Sequence, residues 1–176
     1  MELLVREEKQ ADYDAVYDLI ETAFKESELS DHQEQFLVQR LRKSKSFVPE
    51  LSLVAEFDNK IVGHVLLTRI KIINDKKKFE SLALAPLTVL PEYQNRGIGG
   101  MLIEKAHQVA RGLGYTSVIL LGHENYYPRF GYVPADRFGI KLTFEVPAEN
   151  FLAIELVENG LEGVSGTVQY AKEFNL

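Results

Sequence analysis

Apolar residues recur along this chain with two periods, and the alternation between them predicts its elements. Residues 3–6 form a short strand candidate, and from about Ala11 the residues Tyr13, Val16, Tyr17, Ile20, Ala23 and Phe24 share one helical face. Asp31, with Glu34 three residues on, has the spacing of a helix cap and predicts a second helix with Phe36, Leu37 and Leu41 inside. Residues 51–57 and 60–73 are β-rich, with Asp58 and Asn59 supplying hairpin chemistry between them. After a turn at Lys76, Lys77 and Lys78, residues 79–89 complete three consecutive antiparallel strands. A helix from Ile98 carries Ile98, Met101, Leu102, Ala106, Val109, Ala110 and Leu113 on one side, puts His107 on its polar side and ends near Gly114. A buried strand follows at residues 117–121, so the order is β-α-α-β-β-β-α-β, with further strands beyond.

Composition narrows the function classes. The 176 residues contain no linker-like stretch, which predicts one domain over residues 1–176, with a core at 1–137 and a strand-rich extension at 138–176. A net charge of -6 argues against nucleic acid as a main partner, and the Lys76 to Lys78 cluster, between two apolar runs, reads as a solvated hairpin tip. Cysteine is absent, which removes disulfides, thiolate metal sites and acyl-cysteine intermediates together. His32, His64, His107 and His123 lack ligand spacing, so no metal is expected. No apolar run approaches membrane-spanning length and no signal segment opens the chain, which makes a cytoplasmic location the expectation.

The candidate chemistry centres on Gln94, Asn95, Arg96, Gly97, Ile98, Gly99 and Gly100, between an extended apolar run and the helix from Ile98. A glycine-rich turn opening a helix is an anion site: the first N–H groups of the helix lack intrahelical partners, and glycines let a phosphate approach the backbone. A P-loop would end in Lys-Ser or Lys-Thr, where this chain has Gly100 and Met101, and a dinucleotide fingerprint needs a small residue where Leu102 stands. Glycines also serve wherever a strand turns sharply into a helix.

The remaining pattern, Gln-x-x-Gly-x-Gly after a strand, resembles the pyrophosphate loop of the GNAT superfamily of acetyl-CoA-dependent N-acetyltransferases. The run Pro86-Leu87-Thr88-Val89-Leu90-Pro91-Glu92-Tyr93 matches as well. Together with Leu51-Ser52-Leu53-Val54-Ala55, Ile61-Val62-Gly63-His64, Leu121-Gly122-His123, the Tyr126 to Tyr132 segment, Phe144-Glu145-Val146-Pro147 and the closing segment, the whole chain is similar to the YhbS-like branch. The resemblance implies an α/β (α+β) fold with a mixed, mostly antiparallel sheet flanked by helices, whose fourth and fifth strands splay to admit the pantetheine arm of acetyl-CoA. It implies that backbone groups of Leu87 and Val89 bond that arm, the Val89 N–H also facing the developing oxyanion, and that residues 94–100 hold the pyrophosphate.

Tyr127 stands four residues before Gly131, the family spacing for a phenol that protonates the leaving thiolate. Its other reading is a ring packed among Tyr126, Phe130 and Tyr132. Where some members carry a glutamate base in the fourth strand, this chain has Ala83, which leaves His123 as the first candidate base and a hydrogen-bonded turn histidine as its alternative. Glu80, Glu124 and His64 are weaker candidates, and a water chain would serve without any of them. Glu26 and Glu28 read as a solvated face, and Arg129 as either a phosphate contact or half of an ion pair. The resulting expectation is direct acetyl transfer from acetyl-CoA to a primary amine of a small-molecule or peptide acceptor, with a homodimer left open. The alternatives are a non-catalytic acyl-CoA-binding or regulatory module and a structural domain.

Overall fold

A computed structural model describes residues 2–176. Among these, β1 (Leu3–Glu7), β2 (Phe47–Phe57), β3 (Lys60–Ile73), β4 (Lys78–Val89), β5 (Ser117–Leu121), β6 (Val133–Pro134), β7 (Ile140–Lys141), β8 (Phe151–Glu155) and β9 (Gly166–Gln169) form one sheet. Its order is β1-β2-β3-β4-β5-β8-β6, with β9 joining β3 to β7. The pairs β4–β5 and β7–β9 are parallel and the others antiparallel. Asp58 and Asn59, at φ 48° and 66°, make the tight turn from β2 to β3, where their short side chains tolerate left-handed backbone.

Helices cover both faces. On one, α3 (Ile98–Gly112) packs Leu102, Ile103, Ala106 and Ala110 in a core with Leu53, Val65 and Leu67 of the sheet. On the other, α1 (Tyr13–Phe24) and α2 (Glu34–Leu41) bury Val16, Ile20, Val38 and Leu41 with Val54 and Leu66. Each of the Val, Leu and Ile side chains contributes about 1.5–3 kcal/mol of burial. Residues 138–176 return to the same sheet: β9 pairs with β3 at residues 71–73, and Ile140, Leu161 and Val168 cluster with Ile70, Ile72 and Ile119.

Two local expectations are corrected. Asp31 does not cap α2; its Oδ1 accepts the Gln33 N–H at 2.9 Å in an Asx turn, and the helix starts at Glu34 with Gln35, Val38 and Leu41 inward and Phe36 exposed. On α3 the buried stripe is rotated. Ile103 and His107 are inside, His107 at 5% exposure, whereas Met101 and Leu113 are each 44% exposed. His107 sits four residues after Ile103 and three before Ala110, on the apolar face, and its Nε2 shares a 2.7 Å hydrogen bond with the Tyr132 hydroxyl. Burial lowers its pKa to about 4, so the ring is neutral.

A buried polar chain crosses the α1/α2 side of the sheet. Arg42 donates to Glu8 through Nε (3.1 Å) and Nη2 (2.7 Å), with Arg42 and Glu8 side chains 9% and 1% exposed. The Ser52 hydroxyl donates to Glu8 at 2.9 Å and lies 3.1 Å from His64 Nε2. Since that hydroxyl spends its proton on Glu8, His64 carries its proton on Nε2. Desolvation brings the His64 pKa down to about 4, and among the described residues its Nδ1 has no partner, nor has the hydroxyl of Thr88, the residue opposite it on β4.

Candidate active site

The cleft that the glycine loop predicts is built from three elements. The β-pairing of β4 sets its floor. Leu90 N–H donates to Val62 O at 2.9 Å, so Leu90 and Val62 are a bonded pair, and alternation makes Thr88–His64 the next bonded pair. Leu87 and Val89, opposite Val65 and Gly63, are then non-bonded pairs whose backbone groups point away from β3. On that side β5 pairs with β4 only at Leu82–Val118 and Ala83–Ile119. A bulge at residues 85–86, where two residues face one on β3, lies just beyond, so the strands part and leave the Leu87 and Val89 backbone open to a gap. Gln94 Nε2 closes one of these groups by donating to Val89 O at 3.1 Å.

The second wall is the start of α3. Gly97 precedes the helix at φ 82°, a left-handed conformation that glycine adopts without strain, with no atom near its Cβ position. A Cβ built on Gly99 would overlap the Tyr126 hydroxyl, and one on Gly100 would stand 3.0 Å from Phe130 Cε1. The loop glycines therefore serve two needs: a turn at Gly97, and close docking of the aromatic segment at Gly99 and Gly100.

That segment, the turn Tyr127–Phe130 with Tyr126 before it, is the third wall. Together the walls enclose about 790 Å³, lined by Leu87, Val89, the turn and first residues of α3, and Tyr126, Arg129 and Phe130. Met101 and Glu104, not anticipated from the sequence, line it as well. Tyr127 does not line this space. Its ring lies against Gly122, at 5.1 Å from the Tyr126 ring and 5.9 Å from that of Tyr132, both edge-on. Burial, reinforced by Tyr126, raises its pKa, so the phenol stays protonated. Tyr126 shifts the same way through burial, opposed by Arg129. An aromatic series thus runs from buried His107 through Tyr132 and Tyr127 to Tyr126 at the cleft.

His123 is not brought into the cleft. It is exposed, its Nδ1 accepts the Asn125 N–H at 3.1 Å, and its carbonyl accepts the Tyr126 and Tyr127 N–H groups. With Nδ1 occupied, a neutral His123 carries its proton on Nε2 and has no free lone pair. Glu124 accepts from Asn150, Glu80 pairs with Lys71 at the far end of β4, and Glu26 and Glu28 lie exposed beyond the end of α1. Among the described residues, no group of three or more His, Asp or Glu is placed to hold a metal, and no helix is long and apolar enough to cross a membrane.

The start of α3 and the open Leu87 and Val89 backbone thus line one cleft beside a parted parallel strand pair. The profile of the acetyltransferase (GNAT) family matches residues 13–132. The chain belongs to the GNAT family. Among its relatives, the uncharacterized N-acetyltransferase YjhQ of Escherichia coli K12 is 40% identical over 119 residues, 67% of this chain and 66% of that protein. The crystal structure of GNAT family N-acetyltransferase YhbS from Escherichia coli in complex with CoA superposes with a TM-score of 0.88 at 26% identity, covering 99% of this chain and 92% of that one. A GNAT family acetyltransferase from Brucella melitensis in complex with acetyl-CoA gives 0.81 at 29% identity, over 98% of each chain. The GNAT fold accounts for the mostly antiparallel sheet with its parallel β4–β5 pair.

Proposed function

We propose that this chain is an acetyl-CoA-dependent N-acetyltransferase working as a single domain, in which the β4–β5 gap receives the pantetheine arm. The observation that carries the reading is the pair of outward-facing backbone segments at Leu87 and Val89 beside the α3 N-terminus. The two CoA-bound relatives support it. The N–H and C=O of Leu87 bond the pantetheine amides, and the amides from Gly97 to Gly100 meet the pyrophosphate, with Gln94 and Asn95 shaping the turn and Ile98 anchoring it in the core.

A neutral primary amine of the acceptor attacks the thioester carbonyl, forming the C–N bond. The oxyanion accepts the Val89 N–H. Collapse breaks the C–S bond, the electron pair leaves on sulfur, and a tyrosine hydroxyl protonates it, either Tyr127, packed behind the cleft, or Tyr126, which lines it. The surplus proton on nitrogen passes to water; among the described residues lining the cleft there is no histidine, and Glu104 is the one carboxylate. Solvent reprotonates that tyrosine.

That scarcity of bases favours one second reading, a CoA-binding module without turnover. A thermal-shift titration with CoA, followed by acetyl-CoA against a panel of polyamines, aminoglycosides, amino acids and peptides with thiol release as readout, separates the two. Binding with thiol release on an amine supports catalysis, and binding with none supports the module. No shift at millimolar CoA overturns both.

A further inference from the structure

A cofactor carrying a pyrophosphate and a 3′-phosphate brings several negative charges to its site, and backbone amides alone supply only partial ones. The glycine loop contains one cationic side chain, Arg96, and the sequence makes it the natural phosphate contact. The structure seats it against Tyr93, a residue that lines the cleft, rather than in the cleft itself. Its guanidinium sits 5.3 Å from the centre of the Tyr93 ring, and it is not among the residues lining the cleft. Arg129 is the one Lys or Arg that lines the cleft among the described residues.

The seating of Arg129 leaves it available for an anion. Nε donates to the Tyr126 carbonyl at 3.2 Å, and the guanidinium lies 4.6 Å from the Tyr126 ring centre and 5.6 Å from that of Phe130. Stacking and one backbone bond fix the direction of the fork without using its terminal nitrogens. Among the described residues no carboxylate stands within ion-pairing distance of it, although Glu104 lines the same cleft and opposes it in charge. The Tyr126 hydroxyl lies above Gly99, so the ring that seats Arg129 also packs on the start of α3, and both line one cleft.

We propose that Arg129, and not Arg96, supplies the charged half of the phosphate site, clamping a CoA phosphate against the first amides of α3. This rests on the reading of the cleft as a CoA site. The test is calorimetric titration of the wild-type chain, R129Q, R129K and R96Q with CoA, dephospho-CoA and pantetheine. R129Q is expected to weaken CoA roughly tenfold or more, the scale of a lost charge-assisted hydrogen bond, with R129K intermediate, R96Q within about twofold of wild type and pantetheine indifferent to all three. Equal losses for CoA and dephospho-CoA assign the contact to the pyrophosphate, and a loss confined to CoA assigns it to the 3′-phosphate. The first supports the clamp against the α3 amides, and the second overturns it. Unchanged melting temperatures keep the comparison about binding, since Arg129 is exposed. If wild type binds CoA and R129Q binds it within about twofold, or if R96Q carries the loss, the assignment is overturned. A wild-type chain that binds no CoA overturns the cleft reading itself, and Arg129 falls with it.

Discussion

The Tyr126 hydroxyl occupies the space that a Cβ on Gly99 would fill, which binds the aromatic turn to the start of α3 through a missing side chain. The contact is specific to the hydroxyl, because the next ring atom, Cζ, stands 3.6 Å from the same position, an ordinary packing distance. Gly99→Ala is therefore expected to displace Tyr126, destabilise the chain by about 1–3 kcal/mol as overpacking does, and weaken CoA binding. Gly99→Ala combined with Tyr126→Phe restores most of that stability by removing the overlapping oxygen. Gly97→Ala, which meets no neighbour, costs about 1–2 kcal/mol through its positive φ alone, and Tyr126→Phe does not rescue it. Melting curves of the four variants decide; a Gly99→Ala that the second substitution leaves unimproved refutes the contact.

The Glu8–Arg42 pair yields a second double-mutant expectation. Arg42→Met leaves a carboxylate with 1% exposure held only by Ser52 and facing His64, and breaking a buried pair in this way costs about 3–5 kcal/mol. Glu8→Gln with Arg42→Met removes both charges and is expected to lose less than Arg42→Met alone. Denaturant titrations of the two variants check the order, and equal losses would mean that the cost lies in packing against Tyr13, whose ring centre is 3.9 Å from the Arg42 guanidinium carbon.

Most elements were legible because their periods were clean. Lys60–Ile73 and the Asp58–Asn59 turn before it follow directly from β-branched content and turn chemistry. The glycine loop was legible as a turn before a helix, with its glycines read as serving phosphate approach or the turn itself, and neither reading includes a docking contact. The close approach of Tyr126 to Gly99 is a contact between segments 27 residues apart, and no local pattern reports it. His107 was misplaced because a polar residue type outweighed its position: the helical spacing from Ile103 to Ala110 put it inside, where neutrality and the Tyr132 hydroxyl make burial tolerable. The sequence put Arg96 with the phosphate and left Arg129 between two roles, since which cation lines the cleft depends on the rings that seat it. The Glu8–Arg42–Ser52–His64 chain draws on two strands and on the residues just past β1 and α2, and only the folded sheet brings them together.

His64 and His107 give stability a defined pH dependence. Both have folded pKa values of about 4 because burial disfavours the imidazolium, with Arg42 and Arg111 adding to the shift and Glu8 opposing it at His64. In the unfolded chain a histidine titrates near 6.5. Between these values the unfolded state binds protons that the folded state does not, so stability is fully present above about pH 6.5 and falls as pH drops towards 4. Each ring contributes up to about 3 kcal/mol over that window. Urea unfolding from pH 7 to pH 4 is expected to show the decline, and His107→Gln to make it shallower. A slope unchanged by that substitution would remove His107 from the account.

Replacing Tyr127 with Phe deletes one hydroxyl and keeps a ring that packs against Gly122, Tyr126 and Tyr132. If that hydroxyl protonates the departing thiolate, turnover with a responsive amine is expected to fall roughly a hundredfold or more, the scale of a general-acid contribution, while CoA affinity and melting temperature stay close to wild type. The raised pKa adds a second signature. A donor that burial keeps protonated above its ordinary value holds its proton across the neutral and mildly alkaline range, so wild-type turnover should show no alkaline decline from this group below about pH 10. Tyr126, whose hydroxyl reaches the cleft at Gly99, is the competing donor, and its pKa moves in the same direction, so the pH profile does not separate the two. The mutants do. Loss of turnover in Tyr127→Phe with a near-normal Tyr126→Phe assigns the proton to Tyr127, and the reverse pattern moves the chemistry one residue along the chain and leaves Tyr127 as the ring that holds its neighbour in place.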